Sequence, residues 1–285
     1  ISNLPGMLGF TQGNIWHVKP GTGNDGNTGK RPDQAFATLA TALDAATADQ
    51  NDIVLLYAES NSPGSTTDYQ SSTLDWNKDL VHLIGVNGCG IAGQRSRVAF
   101  TSAYATASNL FTLSADGCCV AGIHFFAGVA DTNPTGCMQV TGDRNYIYRC
   151  HIAGIGHANN DIAGAYSLKL DGADECLIED CTIGLHTIAR GTAANSEILV
   201  DGGISQTTFR KCMIESLIEH DTNHPQVYIN DATAIGQGGL FFDDCIFYNT
   251  SVNYANTNGG AFKMGATLTA GRIGVNNCML IGASK

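Results

Sequence analysis

Four acidic residues with regular spacing are the strongest candidates for catalysis in this sequence. Glu179-Asp180 and Asp243-Asp244 each stand directly before a cysteine, at the same offset. If the segments that carry them stack on one another, the four carboxylates lie on one face. Cleavage of a glycosidic bond requires two carboxyl groups about 5–10 Å apart, one of which acts as an acid. These residues are therefore the candidate catalytic set if the protein is an enzyme.

Basic residues occupy the equivalent positions of the intervening segments. Stacking predicts two columns of alternating charge: Arg149, Asp180, Lys211 and Asp244 in one, and Glu179, Arg210 and Asp243 in the other. A carboxylate beside a cation stays ionised, whereas a general acid needs a raised pKa. We therefore expect a surface series of ion pairs, each contributing less than about 1 kcal/mol, and no catalytic residue.

Other reactive residues form no recognised site for a metal, a cofactor or a nucleophile. His124 and His151 each follow an inward-facing strand position, so both are expected as isolated surface histidines. The chain contains no CxxC pair for zinc and no G-x-S-x-G motif for a serine nucleophile. The glycines of segment 21–30 lack the spacing of a phosphate-binding loop, which leaves Ca²⁺ on Asp25 and Asn27 as an alternative to a plain turn.

The cysteines indicate which elements position these residues. Five of the ten cysteines, at 150, 181, 212, 245 and 278, are spaced by 31, 31, 33 and 33 residues. Each belongs to a motif of the form apolar-x-x-Cys-x-apolar. Segments 120–125 and 81–86 have the same form with isoleucine in place of cysteine. A repeat of this length predicts a solenoid.

A second apolar pair with period 2 precedes most of these motifs. The pairs are Phe111/Leu113, Met138/Val140, Leu168/Leu170, Ile198/Val200, Val227/Ile229 and Phe262/Met264. Period 2 indicates half-buried strands. We therefore predict coils of strands stacked about 4.8 Å apart, with the five cysteines as a buried inward column. Disulfides along the column are disfavoured, because neighbouring coils would have to distort to form them.

Helical spacing is confined to one segment near the start of the chain. Phe36, Leu39 and Leu43 predict an α-helix over about 33–48, with Asp33 as its N-cap. Residues 1–15 show no periodicity and are expected to form an extended arm. The helix would cover the first coil of a domain spanning 16–285, because an open end exposes the core.

A resemblance to right-handed parallel β-helix proteins of the pectin-lyase-like superfamily rests on two features. These are the opening run WHVKPGTGNDGNTGKRPDQAFATLATALDAA…NDIVLLYAES and the repeated cysteine motifs. The resemblance covers about residues 16–281. It implies an all-β, single-stranded, right-handed parallel β-helix of about seven coils with one N-terminal capping helix. Members include polysaccharide lyases and hydrolases, bacteriophage tailspikes and virion-surface proteins without enzymatic activity, so the fold alone does not assign a function.

Charge and hydropathy limit the partners. The net charge is −11, from 15 basic and 26 acidic residues, which argues against nucleic acid as a partner. No run of 18 apolar residues is present, so no membrane span is predicted.

The predicted function is a structural subunit of a bacteriophage particle, because the resemblance comes without a catalytic cluster. We expect a capsid decoration or spike on the virion surface, forming homotrimers in which three β-helices pack about an axis. The arm 1–15 would bind the capsid or another virion protein, and host-surface glycans are a further candidate partner. The alternatives are an extracellular polysaccharide lyase or glycoside hydrolase, and an adhesin that binds glycans without cleaving them.

Overall fold

Three parallel β-sheets and one short helix make up the structure, a computed structural model. It describes residues 13–59, 67–87, 96–101, 108–191, 195–219, 224–230, 235–236, 238–251, 260–265 and 271–282. The strands in chain order are β1 (Ile15–Val18), β2 (Ile53–Tyr57), β3 (Thr67–Gln70), β4 (Leu74–Trp76), β5 (His82–Val86), β6 (Ser96–Phe100), β7 (Asn109–Leu113), β8 (Cys119–Ala121), β9 (Ile123–Phe126), β10 (Gly136–Val140), β11 (Tyr146–Tyr148), β12 (His151–Ala153), β13 (Tyr166–Leu170), β14 (Leu177–Glu179), β15 (Thr182–Arg190), β16 (Ser196–Val200), β17 (Thr207–Arg210), β18 (Met213–Ile218), β19 (Val227–Ile229), β20 (Leu240–Asp243), β21 (Ile246–Asn249), β22 (Phe262–Met264), β23 (Ile273–Asn276) and β24 (Met279–Ile281).

The chain visits the three sheets in rotation. Sheet A has the order β1-β2-β5-β8-β11-β14-β17-β20-β23, sheet B the order β3-β6-β9-β12-β15-β18-β21-β24, and sheet C the order β4-β7-β10-β13-β16-β19-β22. Since every third strand pairs in parallel with its predecessor, the chain winds as a right-handed parallel β-helix. The predicted fold class is confirmed.

The coil count is slightly lower than the seven predicted. Six complete turns run from β5 to β22, after a first winding that lies next to the helix. The coil that starts with β23 contributes only β23 and β24 within the described residues. The predicted unit at 81–86 is also out of register, because Leu83, not Val81, pairs with Val120. Ile84 consequently faces outward.

Apolar residues in register fill the interior. The predicted apolar pairs all lie in sheet C, where Phe111, Met138, Leu168, Ile198, Val227 and Phe262 align from coil to coil. Each fully buried side chain of this size contributes roughly 1.5–3 kcal/mol. The stacked core is therefore continuous along the solenoid.

One residue with a left-handed backbone forms the bend between sheets A and B in successive coils. Arg149, Asp180, Lys211 and Asp244 have φ values of 50–55°. The next residue of each coil points inward, and this position holds the predicted cysteine column. Cys150, Cys181, Cys212 and Cys245 are buried, Cys278 is partly exposed, and all five are free thiols.

The capping helix is shorter than predicted. Helix α1 spans Leu39–Ala45 and its N-cap is Thr38, whose Oγ1 accepts the Thr41 N–H at 3.3 Å. Phe36 pairs with Val18 of β1, so the chain before Thr38 is extended. Asp33 instead lies in a separate 3-10 turn, Pro32–Gln34. The prediction of a helix from 33 with Asp33 as N-cap was wrong, because strand pairing at Phe36 prevails over helical spacing.

Most of the predicted N-terminal arm lies outside the part of the chain that the structure describes. Residues 1–12 of the arm lie outside the described residues, and Ile15 already belongs to β1.

In the glycine-rich segment, Asp25 accepts the N–H groups of Ala37 and Thr38 at 2.8 and 3.0 Å. Its carboxylate therefore stabilises the start of α1. No helix in the described ranges is long and apolar enough to span a bilayer.

Asp68 of β3 joins the cap to the first winding. It is buried and accepts the Leu39 N–H at the start of α1 and a hydrogen bond from Gln70. Burial raises the pKa of Asp68 to about 7, although both hydrogen bonds act in the opposite direction. The folded state therefore favours the protonated carboxyl.

We expect Asp68→Asn to flatten the pH dependence of stability. A carboxyl pKa that rises on folding contributes stability below the unfolded pKa and loses it as pH rises through the folded value. For Asp68 this loss falls between about pH 4 and pH 7, and three pKa units correspond to about 4 kcal/mol. Urea unfolding from pH 4 to 8 measures it, with exposed Asp33→Asn as control. Superimposable curves for wild type and Asp68→Asn would contradict the assignment.

Candidate functional site

The four predicted carboxylates lie where sheet A meets sheet B, as the repeat indicated. Glu179 is aligned with Arg210, and Arg210 with Asp243. Asp180 and Asp244 occupy the left-handed bends, and the Asp180 N–H donates to the Arg210 carbonyl at 3.0 Å. Stacking therefore brings these residues into the two predicted columns.

The columns form fewer ion pairs than predicted. Glu179 accepts the Tyr146 hydroxyl at 2.7 Å and lies 3.5 Å from Arg210 Nη1. Asp243 accepts the side-chain amide of Asn276 at 2.7 Å. Among the described residues, Glu179–Arg210 is the one ion pair in either column. The bend residues are exposed, and solvated charges gain little from pairing.

This environment does not build a general acid. Burial is what keeps a carboxyl protonated near neutral pH, and Asp180 and Asp244 are exposed while Glu179 and Asp243 are half-exposed. Tyr146 and Asn276 donate hydrogen bonds to the carboxylates of Glu179 and Asp243. The four residues are thus placed together but arranged as a polar surface.

The outer face of sheet B carries a polar cluster that the sequence did not predict. His124 and His151 are buried, and their rings stack at 4.7 Å between centroids. Phe126 packs against His124, and the Arg97 guanidinium lies 4.5 Å from the Phe126 ring centre. The prediction of isolated surface histidines was wrong, because these neighbours on the same face exclude solvent from both rings.

Glu215 of β18 is the centre of this cluster. Its Oε2 lies 3.1 Å from His186 Nδ1, and its Oε1 lies 4.0 Å from His151 Nε2. His151 Nε2 is also 3.1 Å from the Gly184 carbonyl. The Glu215 side chain is 9% exposed and that of His186 is 51% exposed. An accessible imidazole is therefore held by a nearly buried carboxylate, which is an arrangement suited to proton transfer.

A buried ion pair supports the cluster from sheets B and C. Arg190 Nη2 lies 2.6 Å from Glu197 Oε1, and both side chains are almost completely buried. Ser167 donates to Glu197 Oε2 at 2.7 Å. Burial raises the pKa of Glu197 to about 7, whereas Arg190 and Ser167 favour its ionised form. Because neither charge reaches solvent, this pair holds the strands together and is not placed to contact a substrate.

Gly184 permits the close approach of the two glutamates. Its φ is +100°, and a Cβ here would lie 2.1 Å from the Glu215 carbonyl oxygen and 2.5 Å from Glu197 Oε2. After Leu185 the register with β18 shifts, and pairing resumes at Ala189. His186 lies in this bulge, so its position cannot be read from the repeat. The sequence feature that could have indicated this cluster is the presence of two charged residues, Glu197 and Glu215, within apolar strands.

Metal binding by three or more ligands has no support in the described part of the chain. No group of at least three His, Cys, Asp or Glu side chains there is placed to hold an ion.

Comparison with known proteins identifies the fold. Pectate lyase Pel9A aligns with a TM-score of 0.57 at 15% identity, over 93% of this chain and 62% of its own. A rhamnogalacturonan lyase gives 0.57 at 14% identity, over 94% and 68%. ORF18 of Geobacillus virus E2 gives 0.56 at 14% identity, over 97% and 49%. No family profile and no curated protein sequence matches the chain.

These similarities establish the right-handed parallel β-helix architecture. Identities of 14–15% carry no residue-level correspondence. The chain spans 62% of the pectate lyase and about half of the viral protein. The neighbours include both enzymes and a viral protein, so the fold is compatible with either role.

We expect removal of one partner of the buried ion pair to be strongly destabilising. Arg190→Met leaves Glu197 buried without its cation and should lower the free energy of unfolding by about 3–5 kcal/mol. The double variant Arg190→Met/Glu197→Met should recover part of that loss. Arg144–Glu175 is a matched exposed pair at 2.6 Å, so Arg144→Met should cost less than about 1 kcal/mol. Equal losses in the two single variants, measured by urea unfolding, would contradict this role.

Proposed function

We propose that this protein is a structural subunit of a bacteriophage particle, a capsid decoration or spike on the virion surface that assembles as a homotrimer. The observation that carries the proposal is the apolar outer face of sheet A. The outward residues of a solenoid are normally solvated, so an apolar outward face is suited to packing against another chain.

The apolar outer face of sheet A spans its first five strands. Alternate residues of these strands, such as Val54 and Val120, point into the core. Their neighbours form a second, separate cluster whose buried members are Ile53, Leu55, Ile84, Cys119 and Ala121. Those five are only 2–9% exposed within the single chain. The apolar surface left for a second chain is therefore that of the half-buried residues around them: Ile15, Tyr57, Val86, Tyr146 and Tyr148. Tyr146 and Tyr148 stack with ring centres 5.5 Å apart.

Sheet C differs on its outer side. Its outward column is polar in the first four strands, with Asp75, Thr112, Gln139 and Lys169, and continues with Leu199, Tyr228 and Lys263. Lys169 lies 3.0 Å from Asp171 and 2.7 Å from Asp201. A polar outer face favours exposure to water, so sheet A is the better candidate for contact between copies. A cyclic arrangement would bury one such face from each of three chains.

The viral neighbour supports the virion location. ORF18 of Geobacillus virus E2 has the same fold over 97% of this chain. In our proposal the arm 1–15 binds the capsid or another virion protein, and the outward tyrosines of later coils are candidates for contact with host glycans. This location is tested by mass spectrometry of purified virus particles whose genome encodes the chain. Absence of the protein from those particles would overturn it.

The oligomer is tested by a charge on the apolar outer face of sheet A. We expect the wild-type protein to have three times the 29.9 kDa chain mass in sizing chromatography with light scattering. Tyr148→Glu places a carboxylate in the interface and should yield a folded monomer. Tyr228→Glu, on the outer side of sheet C, is the matched control and should stay trimeric. A wild-type monomer at micromolar concentration would overturn the trimer.

A second candidate function is an extracellular polysaccharide lyase or glycoside hydrolase. The observation that favours it is the accessible His186 imidazole held by Glu215 on sheet B, and the fold is shared with two lyases. The catalytic set first considered for this function is Glu179, Asp180, Asp243 and Asp244.

A panel of acidic and capsular polysaccharides separates the two functions. Assays for reducing ends and for the ultraviolet absorbance of unsaturated products should detect no turnover by the structural subunit. Product formation that is lost in Glu215→Gln would establish an enzyme with its site on sheet B. Loss in Asp180→Asn or Asp243→Asn would place the site at the bend instead. Asp33→Asn, on the exposed 3-10 turn, serves as the control.

A further inference from the structure

Five thiols line one corner of the interior with the same orientation. The Sγ atoms of Cys150 and Cys181 lie 3.5 and 3.6 Å from the carbonyl oxygens of Val120 and Ile147 in the preceding coil. The other three cysteines repeat this contact, Cys212 with Ile178, Cys245 with Phe209 and Cys278 with Phe242. Because the contact recurs, the side chains share one rotamer. We call these residues the thiol column.

The thiols of successive coils lie one strand spacing apart along the column. The Cys150 N–H donates to Cys181 Sγ at 3.4 Å, so the sulfur of one coil reaches the backbone of the next cysteine in the column. With a shared rotamer, successive sulfur atoms follow the strand spacing of about 4.8 Å. A disulfide needs Cβ atoms about 3.5–4.5 Å apart, so this spacing leaves the thiols free.

The same spacing suits the coordination of one metal ion by two thiolates. A thiolate bond to a d¹⁰ cation such as Zn²⁺ is about 2.3 Å long, and heavier d¹⁰ cations form bonds of similar length. Two such bonds in a line span about 4.6 Å, close to the separation of sulfurs on adjacent coils. A cation that takes two sulfur ligands at 180° therefore fits between neighbouring coils with little displacement of either.

We propose that the thiol column binds soft divalent cations that prefer linear two-coordinate geometry, such as Hg²⁺. Each ion bridges the cysteines of two adjacent coils. Two thiols lose their protons to solvent, two metal–sulfur bonds form, and the product RS–Hg–SR is electrically neutral. No oxidant or reductant is required. Five thiols provide two such pairs, so the column holds two ions per chain.

The apolar core selects among soft cations by charge. Ag⁺ or Cu⁺ with two thiolates would leave one negative charge in the interior, where the penalty is several kcal/mol. Zn²⁺ takes four ligands in tetrahedral geometry, which a single column cannot supply. Linear coordination and neutrality together favour the divalent ion.

The other corner of the coil supplies an internal control. There Cys118 and Cys176 are separated by Asn145, whose Oδ1 accepts the Cys118 N–H at 2.8 Å and whose N–H donates to Cys176 Sγ at 3.4 Å. These two thiols are buried but lie two coils apart, about 9.6 Å by the strand spacing. One linear ion cannot bridge them.

Binding is measured by native mass spectrometry of the wild-type protein with HgCl₂ in the presence of excess glutathione. Glutathione removes ions that are held by a single thiol, whereas a pair on adjacent coils retains its ion through a high effective concentration. We expect two bound ions with release of two protons for each. Cys181→Ser/Cys245→Ser leaves no adjacent thiols in the column and should lose both ions. Cys118→Ser/Cys176→Ser should retain both.

Two results would overturn the proposal: equal uptake by the wild type and Cys181→Ser/Cys245→Ser, or equal loss in the control. X-ray absorption at the mercury edge on the wild-type protein decides independently of whether the variants fold. Two sulfur neighbours at about 2.3 Å support bridging. One sulfur, or three or more, excludes it.

Discussion

The bend between sheets A and B is the constraint on which the solenoid depends. In each coil from β8 onward one residue turns the chain with a left-handed backbone: Gly122, Arg149, Asp180, Lys211, Asp244 and Asn277. For a residue other than glycine this conformation costs about 1–2 kcal/mol. Hydrogen bonds between bends offset it, since the N–H of Arg149 donates to the carbonyl of Glu179 and that of Asp180 to the carbonyl of Arg210, both at 3.0 Å. A bend at one fixed position in each of these coils keeps the strands on both sides in register.

The constant register of successive coils explains why much of the fold could be predicted from the sequence. In the coils from β8 onward the residue that follows the bend points inward, so burial selects an apolar residue there. This residue is Ile123 in one coil and cysteine in the next five, which leaves a period of 31–33 residues. The apolar pairs of sheet C are repeated for the same reason. The helix was placed less well, because Phe36 pairs with Val18 and no local signal reports that contact. At 81–86 the apolar spacing fits two registers, and the partner strand selects between them.

The outer faces were predictable only where they repeat. The charged columns beside the bend follow the period, so Glu179, Arg210 and Asp243 could be aligned. The cluster on sheet B does not, because it depends on the register shift after Leu185 and on the absence of a side chain at Gly184. The repeat therefore specifies the interior of this protein, whereas irregularities specify the polar cluster on the outer face of sheet B.

The two interior corners show that hydrogen bonding alone does not account for the cysteines. At the second corner, Asn145 donates to the Ala115 carbonyl at 2.9 Å and Thr207 donates to that of Ala173 at 2.7 Å. Cys176 occupies the equivalent place with a longer contact, 3.5 Å from Gly142. Amide and hydroxyl groups are better donors than a thiol, and the fold accepts all three there. Ile123 holds the first corner in the coil before Cys150, so an apolar side chain without a donor is accepted there. The five cysteines at this corner are therefore explained by the burial of a small apolar side chain and not by hydrogen bonding.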